Sequence, residues 1–147
     1  MKDLNASVSG VAKAPVSEVF AFLSDVVAYP SWYPDGVKEA SLIDEGRCRA
    51  VLSVNQGPIQ REFKMHMAIE RVPESSITLR RLAKTADDQE QLAVTWRLAP
   101  DAGDGGRTAL TAQFAATLSI PRFLPLGGIE KAIPQGFLDA ALASLNR

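Results

Sequence analysis

The stretch from about Leu124 to Asn146 limits what the rest of this chain can be. On a helical wheel Lys131, Gln135, Asp139 and Asn146 share one narrow polar stripe. Ile129, Ala132, Ile133, Gly136, Phe137, Ala140, Ala141 and Leu145 cover most of the remaining circumference. An ordinary surface helix hides a single apolar face. This one is apolar on both flanks, so something concave has to embrace it. Pro134 lacks the N–H that would bond the Glu130 carbonyl, and the helix is expected to kink or restart there. Gly127-Gly128 supplies a flexible entrance.

What precedes the helix is mostly period-two alternation, the mark of strands with one buried face. Leu4–Val11 reads as a first strand. Pro15 then suits the first turn of a helix, in which Val16, Val19, Phe20 and Leu23 recur at helical spacing. A second, shorter helical segment runs from Asp25 through Tyr29-Pro30-Ser31-Trp32-Tyr33-Pro34. Six further strands are expected: Val37–Ile43, Arg47–Gln56, one centred on Phe63–Ile69, Ile77–Leu82, one through Leu92–Leu98, and Leu110–Leu118. Gly57-Pro58, Pro73-Glu74-Ser75 and Pro100–Gly106 break them. Long alternation with one apolar face implies an antiparallel sheet with its polar side to water. The last helix is the cover available for the other side.

Several function classes fall away on composition. The net charge is -1, which gives no basic field for nucleic acid. No apolar run is long enough to span a bilayer, and the N-terminus lacks a signal-peptide core, so the expected compartment is the cytoplasm. One cysteine, Cys48, excludes an internal disulfide. His66 alternates with Met65 and Met67 and so belongs to the solvated face, where it builds neither a zinc site nor a triad. Gly103-Asp104-Gly105-Gly106 lies in a hairpin and is no phosphate loop. No catalytic motif, metal site or cofactor is implied.

The element order and two motifs resemble a known family. They are Ala14-Pro15-Val16-Ser17-Glu18-Val19-Phe20 entering the first helix, and Asp25–Pro34 with its Tyr29-Pro30-Ser31-Trp32-Tyr33-Pro34 core. The exit Leu118-Ser119-Ile120-Pro121 into a Gly-rich helix start is similar to coenzyme-Q-binding-like members. The chain resembles the START-like superfamily (SRPBCC; polyketide cyclase/dehydrase and lipid-transport proteins) over residues 1–147, as one domain. The resemblance implies an α+β helix-grip fold: a curved seven-stranded antiparallel sheet wrapped around a long C-terminal helix, with two short helices between the first and second strands. It also implies a cavity between sheet and helix for an apolar or aromatic ligand. Within that superfamily stand lipid carriers, aromatase/cyclases and ribosome-associating toxins, and fold alone does not choose among them.

Candidate ligand contacts follow from the face that must meet the helix. They are Leu52, Phe63, Met65, Met67, Leu79, Val94, Trp96 and Phe114 on strands, and Ile133 and Phe137 on the helix. Large apolar residues are usually buried for packing, so core filling competes with pocket lining at each position. Trp32 suits either a gate at the cavity mouth or a plug fixing its segment to the sheet. The hydroxyls of Tyr29 and Tyr33 suit a ligand head group or a nearby carbonyl. Glu130 either lines the entrance or reaches solvent and favours the helix dipole. Arg81 shares a strand face with Ile77 and Leu79, and either points inward at an anionic group or turns out at the strand end. The expected partner is a hydrophobic small molecule such as a lipid, isoprenoid quinone or polyketide. The alternatives are an aromatase/cyclase-type enzyme and a protein-interaction module.

Overall fold

A computed structural model describes residues 2–56, 59–101, 104–119 and 129–147. Strand β1 (Lys2–Ala12) leads through Pro15 into α1 (Val16–Ser24), a 3-10 turn (Val26–Ala28) and the short α2 (Tyr29–Trp32). There follow β2 (Val37–Asp44), β3 (Arg47–Gln56), β4 (Ile59–Val72), β5 (Ser76–Arg81), β6 (Gln91–Asp101), β7 (Asp104–Leu118) and α3 (Ile129–Leu145). Among the described residues the strands form one antiparallel sheet in the order β1-β7-β6-β5-β4-β3-β2. This is the helix-grip architecture that the alternation and the resemblance imply.

The alternation sets the inner face as expected. Phe63, Met65, Met67 and Ile69 are buried along β4, while Glu62, Lys64, His66 and Glu70 are exposed. β6 and β7 extend toward each other further than the Gly/Asp-rich sequence suggests, because Asp101 already pairs with Asp104. The turn after β4 carries Glu74 at φ 55, a left-handed position for a residue with a Cβ. The expected break at Gly57-Pro58 and the hinge at Gly127-Gly128 lie outside the described residues, as do positions 124–128 of the predicted helix.

Helix α3 continues through the buried Pro134 and does not restart there. Leu138 and Ala141 are buried, and the helix lies along β1 and β7 on one flank. On the other it meets α2 and β3. Asn146, expected on the polar stripe, instead ties the helix end to the end of β1. Its Oδ1 accepts the Lys13 N–H at 2.7 Å, and its Nδ2 donates to the Val11 carbonyl at 3.3 Å.

Strand lengths leave one seam open. β4 begins at Ile59, but on the β5 side it has a strand partner only from Met67 to Val72. Past that point, among the described residues, the Leu82 N–H still bonds the His66 carbonyl at 2.8 Å before the chain leaves β4.

Candidate ligand-binding site

Between the concave sheet and the helices lies an apolar void of about 30 Å³. Six predicted contacts wall it: Leu52, Met65, Met67, Leu79, Val94 and Phe137. Val26, Tyr29, Val37, Ala40, Ala50 and Leu92 complete the wall. Such a space holds a single water, whereas small-molecule pockets run to roughly 300–1,000 Å³. In this conformation side chains fill the cavity.

Beside the void a second pocket of about 350 Å³ opens outward. Tyr33, Ile133, Leu52 and Phe137 give it apolar surface, and Asp35, Lys38, Ser53 and Asn55 stand among its lining residues. Leu52 and Phe137 line both spaces, so these two side chains are the partition between them. The Tyr33 ring meets Phe137 edge-on with centroids 4.9 Å apart. Two glycines make room for that ring: a Cβ at Gly36 would lie 2.3 Å from its Cε2, and one at Gly136 would lie 2.3 Å from its Oη. Tyr33 Oη has no hydrogen-bond partner among the described residues. Burial pushes its pKa up, and the carboxylates of Asp35 and Asp139 add to the shift.

Trp32 takes the packing role. Its half-buried ring sits 4.7 Å from Tyr29, 5.1 Å from Phe22 and 6.5 Å from Trp96 by centroid, fastening α2 to α1 and to the sheet. Trp96 is fully buried behind it, 6.3 Å from Phe137. The Nε1 atoms of both tryptophans are buried without a hydrogen-bond partner among the described residues. Tyr29 uses its hydroxyl internally, donating to the Leu23 carbonyl at 2.6 Å. Burial holds the Tyr29 pKa far above its ordinary value, and the nearby Trp96 indole works against that shift without reaching hydrogen-bond geometry.

The remaining candidates stand apart from both spaces. Phe63 and Phe114 are buried in the core, with the Arg61 guanidinium 4.2 Å above the Phe63 ring. Arg81 is buried as its strand face suggests, but its charge is already matched. Its Nη1 and Nη2 donate to Asp88 at 3.2 and 2.7 Å, and Nη1 also donates to the Glu90 carbonyl at 2.7 Å. Glu90 accepts two bonds from Arg61, at 2.9 and 2.8 Å, and the Ser119 N–H at 2.9 Å. The Arg61 bonds pull the Glu90 pKa down from 4.5 to about 2, and Arg81 holds Asp88 well below the usual carboxylate range. Glu130 sits half-buried in the first turn of α3 and lines neither space. Cys48 is fully buried, and burial pushes its thiol up, as suits an inert core residue. Among the described residues no cluster of His, Cys, Asp and Glu could hold a metal ion, and no helix is long and apolar enough to cross a membrane.

Residues 12–145 match the family of polyketide cyclase/dehydrase and lipid transport proteins. The chain belongs to that family. Comparison with curated proteins returned no match. Among solved structures the chain is similar to a START superfamily protein from Mycobacterium smegmatis, at 13% identity and TM-score 0.78, with 97% of each chain covered. It is similar also to the Zhui aromatase/cyclase from Streptomyces sp. R1128, at 18% identity and TM-score 0.68, covering 99% of this chain and 95% of that one. A conserved protein from Geobacillus kaustophilus gives 19% identity and TM-score 0.70, with 99% and 95% covered. At these identities the likeness is one of fold. Membership of the polyketide cyclase/dehydrase and lipid transport family supports a hydrophobic ligand or a cyclase role for the cavity.

Proposed function

We propose that this chain, as a single START-like domain of the cytoplasm, binds and carries a hydrophobic small molecule of the lipid, isoprenoid quinone or polyketide kind. The observation that carries the reading is the partition made by Leu52 and Phe137. It separates a filled apolar interior from a pocket that is already open and has polar residues around it. Rotation of two side chains joins the spaces, and a ligand's apolar area leaves water at about 25 cal/mol per Å² before the costs of association. Met65 and Met67 are the adaptable part of the wall.

A cyclase needs at least two polar groups converging on a bound chain. Here Arg81 is paired with Asp88, Glu130 lines neither space, and of these three only Tyr33 lines the void or the pocket beside it. That distribution favours a carrier over an enzyme.

The test is native mass spectrometry of freshly purified protein, with its organic extract analysed in parallel. A discrete added mass that reappears in the extract is the expected result. A clean protein mass, together with no quenching of Trp32 and Trp96 by quinones or polyketide analogues, overturns the proposal.

A further inference from the structure

The open seam beside β4 gives the interior a second approach, from the outer face of the sheet. A groove of about 800 Å³ lies there, and its lining includes Ala50, Met65 and Leu82. Ala50 and Met65 also wall the interior void. The groove and the void therefore share these two residues of the sheet as part of their walls. The two residues sit directly opposite each other across the β3–β4 ladder. Ala50 is too small to close a gap, and Met65 has three rotatable bonds and an adaptable thioether.

Around the groove the charge is one-sided. Arg49, Lys64 and Lys84 are exposed, line it, and form no ion pair among the described residues. This sets them apart from Arg47, Arg61, Arg80, Arg81 and Arg107, each of which meets a carboxylate. Glu39 is the one carboxylate in the lining, and His66 stands opposite Arg49 across the ladder. Cations left unmatched around an apolar floor, on a chain whose net charge is -1, are complementary to an anionic head joined to an apolar chain.

We infer that this groove receives a free single-chain anionic amphiphile, its acidic head held by Arg49, Lys64 and Lys84 and its chain directed past Met65 into the interior. The inference rests on the carrier reading above and narrows it to acidic ligands entering through the β4 seam.

The experiment is calorimetric titration of the whole chain with decanoate, and with decanol as the uncharged chain of equal length. Lys64→Glu/Lys84→Glu and the milder Lys64→Gln/Lys84→Gln are titrated alongside, with circular dichroism to confirm folding. Decanoate is expected to bind about tenfold more tightly than decanol and to lose about tenfold on charge reversal, with decanol unchanged. Equal affinity for the two ligands, or decanoate binding indifferent to both double variants, overturns the inference while leaving the cavity reading intact. Adsorption to anionic vesicles without binding of monomeric decanoate also overturns it, because the cations would then serve a membrane surface. Binding of neither ligand refutes the groove, and the extract experiment then decides the cavity by itself.

Discussion

Tyr33 and Gly136 approach so closely that a Cβ at position 136 would stand 2.3 Å from Tyr33 Oη. The other edge of the ring lies against Gly36, where a Cβ would likewise stand 2.3 Å from Tyr33 Cε2, so the ring is flanked on both edges by positions that take no side chain. Alanine in an exposed helix interior ordinarily gains about 1 kcal/mol over glycine. Here Gly136→Ala should instead destabilise by about 1–3 kcal/mol through overpacking. In a Tyr33→Phe background, where Oη is gone and the nearest ring atom is Cζ at 3.2 Å, the same change should cost clearly less than in the parent chain. Urea midpoints of the four proteins in a double-mutant cycle measure the coupling. Stabilisation by Gly136→Ala in the parent chain would show that the ring moves freely.

Phe137 is half of the partition between the outer pocket and the interior void. Phe137→Leu should cost about 1–2 kcal/mol of stability by leaving unfilled space. The same change should raise affinity for a neutral aromatic dye several-fold, because the two spaces then communicate. Denaturation and dye titration of one preparation test both halves, and a loss of stability with no gain in affinity would remove Phe137 from the entrance.

The Arg61–Glu90 pair predicts an acid response of known sign. Glu90 titrates lower folded than unfolded, so its contribution is whole above 4.5 and disappears as pH falls from there toward about 2. Glu90→Gln should be less stable than the parent near neutrality and should flatten the pH dependence across that window. Urea midpoints at about pH 7 and about pH 3 distinguish the two proteins. Parallel curves would mean that Glu90 contributes nothing.

Tyr29 lines the void, yet its hydroxyl serves Leu23. Tyr29→Phe should therefore cost about 1–2 kcal/mol through the unsatisfied carbonyl and leave apolar ligand affinity unchanged. Reduced affinity in a folded Tyr29→Phe protein would return the hydroxyl to the ligand.

Alternation along β3, β4 and β6 made the sheet and its inner face legible, and the apolar flanks of α3 announced that it would be gripped. Alternation gives a side chain's face but not its depth along the strand. Leu52, Met65 and Val94 consequently reach the void, whereas Phe63, Trp96 and Phe114, on the same face, do not. The role of Ala50 was hidden because a methyl group carries little pattern of its own. Arg81 was placed on the correct face, but its partners Asp88 and Glu90 come from an irregular loop whose position no periodicity encodes. Tyr33 earned its place in the pocket through Gly36 and Gly136, one close in sequence and the other distant. Only folding reveals the second.

The pairing of β1 with β7 also governs the order in which this protein can assemble. Lys2 pairs with Leu118 and Ala12 with Thr108, so β1 waits for β7, the last of the seven described strands in sequence, before it has a neighbour in this sheet. The ladders from β2 to β7 join segments adjacent in sequence and can form as hairpins while synthesis continues. β1 can join the sheet only once β7 has been made, on the flank where α3 packs. Until then its apolar residues Leu4 and Val8 lack the cover that the folded sheet gives them, and apolar surface uncovered during synthesis favours aggregation.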